Sequence, residues 1–325
     1  MSRMERNAST TAWLLTDGNA GNVRQAEALA GALGLDSPHL PELAPRAPWR
    51  WLAPRRLPGA RHAFGPGLAA ALAGPAPALA IGCGRQGALA GRLARERGAR
   101  AVQILDPRID SRHWDLVVVP EHDRLRGTNV ITLLGSLNPV DDAWLERARQ
   151  QFRALCALPR PRTALLLGGP TRHAPWSLDS LAQALAALRA QVRAEGGSLL
   201  ATVSRRTPAA ASAPLHAAMQ GVPGMAWDGG GANPYPGLLA CADRIVCTPD
   251  SVNMLSEACA TDAPVYVLEP QLARGRLAAF LRALQDLGRV RALAGGLEPF
   301  PVQPLRETAR VAAEVRRRLG LEDAP

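Results

Sequence analysis

Short apolar runs that end in small or polar residues alternate along the chain with Ala/Leu-rich stretches of helical period. The runs predict strands at residues 12–16, 78–81, 101–105, 116–120 and 129–133. Helical spacing falls at 22–33, closed by Gly34, at 85–97, stopped by Gly98, and at 144–155. A Pro-rich break, Leu158-Pro159-Arg160-Pro161-Arg162, interrupts the pattern, and the same rhythm then restarts. Strands are expected at 163–167, 198–203, 225–227, 244–247 and 265–268, with helices at 177–195, 208–219, 235–242, 252–261 and 307–319. Strand–helix alternation of this kind builds a parallel sheet with helices on both faces. The reading is α/β: two successive doubly wound, Rossmann-like units. Ligands of such sheets bind beyond the carboxyl ends of the strands.

The length, 325 residues, suits two such domains, and 47% hydrophobic with 20% charged residues is a globular composition. No apolar run approaches the roughly 18 residues of a membrane span. The N-terminal stretch runs into a turn and reads as a first strand, not a signal peptide. All 38 basic residues are Arg, which reads as a compositional bias; the net charge of +10 still favours acidic partners. Without Lys there is no Schiff-base chemistry and no Walker-type phosphate lysine. The five cysteines form no CxxC pair, so a disulfide framework or zinc site is not expected. Free thiols in a reducing cytoplasm fit instead.

Four segments of the second half could carry chemistry. After the strand at 244–247, Thr248-Pro249-Asp250-Ser251 opens a helix whose free N–H groups and dipole favour a phosphate. Asn253 lies in its first turn, and Glu257, under two turns in, could accept from ribose hydroxyls. An ordinary N-cap with a solvated Glu gives the same local pattern. Ser204-Arg205-Arg206-Thr207 ends another strand, and paired guanidiniums suit a diphosphate. Gly168-Gly169-Pro170-Thr171 follows the unit's first strand and lets a ligand or a facing loop come close. Asn233 and Tyr235, after three glycines, offer an amide and a ring to a base or sugar.

In the first half, Asp17 follows the first strand in a turn that is neither GxGxxG nor a P-loop. It sits where a base would, or serves only the turn. Glu121 and His122, with Asp123, end a later strand and could do acid–base work. No ligand spacing supports a metal. Trp49, Arg50, Trp51, Arg55 and Arg56 interleave indole and guanidinium as a membrane interface requires, although a packed surface loop has the same composition. Single-stranded nucleic acid would suit them too, but no RNA-binding signature accompanies them.

Taken together, Thr16-Asp-Gly-Asn-Ala-Gly-Asn22, Gly82-Cys-Gly-Arg-Gln86, Gln103-Ile-Leu-Asp-Pro-Arg108, Pro120-Glu-His-Asp123, Gly168-Gly-Pro-Thr171, Ser204-Arg-Arg-Thr207, Asn233-Pro-Tyr235 and Asp250-Ser-Val-Asn-Met-Leu-Ser-Glu-Ala-Cys259 resemble the mitochondrial-fission (elongated-mitochondria) family. The resemblance spans nearly the whole chain. It implies a glycosyltransferase, the activity assigned to the family's bacterial members. The segment from Ala242 to Leu268 is more distantly similar to the donor half of the lipid-II-forming N-acetylglucosaminyltransferase. That second resemblance implies a GT-B-like fold of two facing Rossmann-like domains, with donor ribose on Glu257. Asn22 stands about where that enzyme carries a His, so the resemblance supplies no base.

The organisation expected is an acceptor and membrane domain at 1–157, a nucleotide-sugar domain at 158–300, and a last helix within 301–325 packed back on the first domain. The function expected is metal-independent transfer from a nucleotide-diphosphate sugar to a lipid-linked or cell-envelope glycan. The arginines and the helix start would stabilise the leaving diphosphate without a cofactor. The site would comprise Gly169, Thr171, Ser204, Arg205, Arg206, Thr207, Asn233, Tyr235, Asp250, Ser251, Asn253 and Glu257, with Asp17, Glu121 or His122 as base. Location would be cytoplasmic, peripheral on the inner face of an anionic membrane. A non-catalytic scaffold, as the plant relatives imply, and a nucleotide-sugar epimerase are the alternatives.

Overall fold

A computed structural model describes residues 12–35 and 43–321. The N-terminal stretch expected to lead into the first strand lies, up to residue 11, outside the described residues. The chain divides into two compact units, Met1–Pro139 with Glu307–Pro325, and Val140–Arg306.

The first unit runs β1 (Ala12–Leu15), α1 (Ala20–Ala32), α2 (Trp49–Leu52), α3 (Pro66–Ala73), β2 (Leu79–Cys83), α4 (Gly84–Glu96), β3 (Arg100–Ile104), β4 (Leu116–Pro120) and β5 (Val130–Leu133). Its five strands are parallel, in the order β1-β2-β3-β4-β5. They are buried almost throughout, which is why they read as unbroken apolar runs and not as alternating ones.

The second unit runs α5 (Asp142–Gln151), α6 (Arg153–Cys156), β6 (Arg162–Leu167), α7 (Leu178–Ala194), β7 (Ser198–Val203), α8 (Ser212–Met219), β8 (Gly224–Trp227), α9 (Tyr235–Cys241), β9 (Arg244–Cys247), α10 (Val252–Cys259), β10 (Val265–Val267), α11 (Gly275–Asp286) and β11 (Val290–Ala292). All six strands are parallel, in the order β11-β10-β9-β6-β7-β8. The order reverses at β6, so the turns after β9, β6 and β7 open side by side at the switch point.

The last helix, α12 (Glu307–Leu319), belongs to the first unit. Val311, Ala312 and Val315 join the cluster of Leu29, Leu33, Ile131 and Leu133. Thr308 Oγ1 donates to the Asn138 carbonyl at 2.7 Å, and Arg310 caps the Thr132 carbonyl of the edge strand β5 at 2.7 Å.

Three features differ from the sequence reading. The Pro-rich break is not the boundary: α5 and α6 precede it yet pack on α9, inside the second unit. Cys156 and Cys241 form a disulfide between α6 and α9, contrary to the expectation of free thiols. They are 85 residues apart, and only that helix packing brings them together. Cys83, Cys247 and Cys259 are free and buried. No element was expected at 269–306, yet α11 buries Leu277, Phe280, Leu281 and Leu284, a helical spacing.

Asp243, in the turn before β9, ties the base of this sheet. It accepts from the Arg162 backbone N–H at 2.7 Å and from the Arg162 side chain at 3.3 Å. Burial pushes its carboxyl up, but Arg162 and Arg160 outweigh burial and hold it below the usual carboxylate range. Arg244 hydrogen bonds likewise lower Glu195, against a smaller effect of burial. Carboxylates depressed in the fold stabilise it above their unfolded pKa, about 4, and lose that contribution as pH falls through the folded value. Asp243→Asn should therefore cost about 1–3 kcal/mol at pH 7 and flatten the loss of stability below about pH 4. Urea unfolding at pH 7 and pH 3 reads both effects.

Candidate functional site

At the switch point one side chain joins three turns. Asp250 follows β9, and its carboxylate is wholly buried, with a side-chain exposure of 0%. It accepts from the Gly169 N–H after β6 at 3.1 Å, from Arg206 Nη2 after β7 at 2.9 Å, and from Trp176 Nε1 at 3.4 Å. The glycines permit this approach: a Cβ on Gly168 would overlap the Asp250 carboxylate, and one on Gly169 the Arg206 backbone. Beside it, Thr248 Oγ1 accepts from the Gly168 N–H at 2.8 Å. Thr207 Oγ1 donates to the Gly168 carbonyl at 2.7 Å and accepts from the Ser204 N–H at 2.9 Å.

Gly169, Ser204, Thr207 and Asp250, read from the sequence as ligand contacts, thus bond one another. Thr171 Oγ1 is similarly occupied by the N–H groups of His173 and Ala174, and Asn233 Oδ1 by that of Tyr235. What this framework presents outward is charge. Arg205 and Arg206 are exposed. Ser251 caps α10 by accepting from the Met254 N–H at 3.3 Å, leaving the Val252 and Asn253 N–H groups at the helix start.

Glu257 lies one turn further along α10, 3% exposed, and its Oε2 accepts from the Tyr235 hydroxyl at 2.6 Å. The solvated Glu of the simpler reading is therefore not what the fold builds. At the other end of α10, buried Arg289 donates to the carbonyls of Ala258, Cys259, Thr261 and Ala263. Burial lowers the Arg289 pKa, while it raises Cys247 and pushes Cys259 up to about 11; these thiols serve packing.

Trp176, Thr248 and Arg289 had no role in the sequence reading. Thr248 stood inside the motif already noticed, but Trp176 and Arg289 lie 74 and 39 residues from Asp250, and nothing local marks them. Glu269, after β10, was also missed. Its backbone is left-handed at φ 43° and one buried carboxylate oxygen has no partner among the described residues.

The first unit repeats the arrangement with different chemistry. Asp17 follows β1, and its carboxylate accepts from Asn22 Nδ2 at 2.9 Å, Asn19 Nδ2 at 2.7 Å and the Asn19 N–H. Gly84, at φ 75°, opens α4 against this turn, and a Cβ there would strike Asn22. Glu121 is exposed and His122 half-buried after β4. β4 lies three strands from β1, so these residues sit about 14 Å from Asp17 at the usual strand spacing. The three candidate bases do not converge. Among the described residues, no group of three His, Cys, Asp or Glu is placed to hold a metal.

The Trp/Arg segment divides. One helical turn sets Trp49 and Trp51 about 200° apart. Trp49 is half-buried against the apolar clusters, while Trp51 is 66% exposed. Arg50, Arg55 and Arg56 are exposed too. Among the described residues, no helix is long and apolar enough to cross a membrane.

Two parallel α/β sheets, of five and six strands, make a GT-B-like fold. The chain belongs to the family described as Mitochondrial fission ELM1, whose profile matches residues 20–319. It is 32% identical over 276 residues to the Mitochondrial fission protein ELM1 of Arabidopsis thaliana. That match covers 75% of this chain but 64% of the plant protein's length. Among solved structures, it is similar to the UDP-GlcNAc 2-epimerase of Methanocaldococcus jannaschii in complex with UDP-GlcNAc and UDP. The TM-score is 0.54 at 11% identity, over 94% of this chain and 99% of that one. MurG of Acinetobacter baumannii aligns at TM-score 0.49 and 14% identity, over 96% and 92%. At 11% identity the likeness to the epimerase shows the fold alone.

Asp250→Ala would orphan three donors at once. It should cost about 2–4 kcal/mol of stability, from lost charge-assisted bonds and a buried indole left unpaired. Arg206→Ala, at a half-exposed partner, should cost less. Urea unfolding of the two variants compares them; equal losses would mean that the carboxylate does not organise the turns.

Proposed function

We propose that the second unit binds a nucleotide-diphosphate sugar at the carboxyl ends of β9, β6 and β7, and that the protein is a metal-independent glycosyltransferase. The observation that carries this reading is the Asp250 junction, which holds Arg206 beside the turn that opens α10. Arg205, Arg206 and the first N–H groups of α10 present positive charge to a diphosphate, and positive charge fixed before the reaction stabilises a departing one. Glu257, its carboxylate oriented by Tyr235, takes the ribose hydroxyls. The UDP and UDP-GlcNAc held by the M. jannaschii epimerase support this class of ligand. Asp17 or the Glu121–His122 pair deprotonates the acceptor, a lipid-linked or envelope glycan.

One observation favours the second reading, a non-catalytic nucleotide-sugar-binding scaffold. Both Asp17 oxygens are already taken by amides, and the other candidate bases lie three strands away. Calorimetry with UDP, GDP and their sugars, in EDTA, tests the common part. Arg205→Ala or Glu257→Ala should lose about 1–3 kcal/mol of affinity, the range for charged hydrogen bonds. Unchanged binding in both variants, or binding only with added magnesium, would overturn the site. Turnover of a bound nucleotide sugar with a lipid-linked acceptor then separates transferase from scaffold, and conversion without acceptor marks an epimerase.

The acceptor assignment makes the first unit a membrane-docking domain. Wild type should sediment with anionic vesicles at low salt and be released at high salt, since exposed attraction is screened over about 8 Å at physiological ionic strength. Trp51→Ser with Arg55→Ser should stay in the supernatant while melting like wild type, because neither residue packs in the core. Sedimentation of that variant equal to wild type would remove the docking claim.

A further inference from the structure

A cavity lies at the end of the first unit opposite the Asp17 turn. The segment from Arg50 to Arg56 runs along α4. The Arg50 carbonyl accepts from Arg85 and Gln86 in the first turn of that helix, the Pro54 carbonyl from Arg92, and Arg56 pairs with Glu96 in the last turn at 3.1 Å. Where segment, α3 and the end of α4 meet, an open cavity of about 1030 Å³ remains. α4 starts at the carboxyl end of β2 and leads to the amino end of β3, so this cavity is remote from the turns that carry Asp17 and Glu121.

The floor of the cavity is apolar: Leu57, Leu72 and Leu93, of which Leu72 and Leu93 are buried. Its rim is cationic. Glu96 is engaged by Arg56, whereas Arg61 and Arg97 have no carboxylate partner among the described residues; Arg61 Nε donates to the His62 ring instead. An apolar trough edged by uncompensated guanidiniums matches an alkyl chain with a phosphate at one end. Arginine binds phosphate oxygens bidentately, and the trough removes methylenes from water.

We propose that this cavity binds one anionic phospholipid, with its phosphate between Arg61 and Arg97 and part of a chain over Leu57, Leu72 and Leu93. The same segment exposes Trp51 and Leu52, so a bilayer surface is the source at hand. A free phosphate would leave the floor unused, and an apolar peptide would leave the two guanidiniums unpaired.

The test uses the full chain and dodecyl phosphate below its micelle concentration, measured by calorimetry. Wild type should bind one equivalent. Arg61→Glu with Arg97→Glu should weaken binding about tenfold or more, as expected when charge-assisted bonds are lost. Ala69→Trp, which fills the trough from α3 without removing a core side chain, should do the same while melting like wild type. Native mass spectrometry after incubation with vesicles should retain one phosphatidylglycerol, and no phosphatidylcholine. Trp51→Ser with Arg55→Ser should still bind dodecyl phosphate, so failure of the docking claim and of this one are told apart. Equal binding of inorganic phosphate or of dodecyl maltoside would overturn the proposal. So would unchanged affinity in the charge-reversed and filled variants.

Discussion

A carboxylate with no exposed surface must be paired, because removing its hydration costs several kcal/mol even after relaxation. Asp250 meets that demand with the Gly169 N–H, the Trp176 indole and the Arg206 guanidinium. The rest of the second unit's upper face follows from it. Gly168 and Gly169 must lack a Cβ, the β7 turn must bring Arg206 against the carboxylate, and Trp176 must reach over from the loop before α7. α10 is then held at both ends, by the Ser251 cap and by Arg289, which donates to the Ala258 and Cys259 carbonyls of the helix and to those of Thr261 and Ala263 just beyond it. Glu257 rides on a helix whose position is over-determined.

The two units solve one problem with different donors. Each places an Asp just past a β-strand, at the opening of a helix. In the second unit Arg206 balances the carboxylate, and the positive charge beside the pair is that of Arg205. In the first, Asn19 and Asn22 answer Asp17 with neutral amides, so that face keeps the negative charge. Burial and a nearby Asp17 push the Cys83 thiol up, which keeps it protonated within this turn.

Parallel strands were legible because burial on both faces makes them continuous apolar runs, and Gly34, Gly98 and Gly196-Gly197 mark helix ends. The site segments were legible as strand ends rich in Gly, Ser, Thr and Arg. Their roles were not. Whether Asp250 meets a ligand or Gly169 depends on β9 lying beside β6, a pairing between residues some 80 positions apart that no local pattern records. The same holds for Cys156 and Cys241, and for the side of the Pro-rich break on which α5 packs. Trp49 and Trp51 look alike in sequence, and only the α2 turn sends one inward. α11, in contrast, carries a regular helical spacing that local reading was equipped to find.

The all-arginine composition, read first as a bias without structural content, proves to be put to structural use. Arg92, Arg126, Arg149, Arg162, Arg189, Arg289, Arg306, Arg310, Arg316 and Arg318 each donate to backbone carbonyls, many where a helix or strand ends. A planar fork with five donors can serve several carbonyls at once, as Arg289 does; an ammonium has three donors and no fixed plane. Much of the positive charge is therefore tied to the chain's own main-chain dipoles and to Asp and Glu side chains. The +10 is already net of the Asp and Glu side chains, and exposed arginines without an ion pair among the described residues, Arg46, Arg50, Arg55, Arg124, Arg153 and Arg205 among them, are spread over both units. Arg205 sits at the switch point of the second unit, and Arg61 and Arg97 at the cavity of the first. Binding of anions should follow the places where exposed arginines converge and not the net charge.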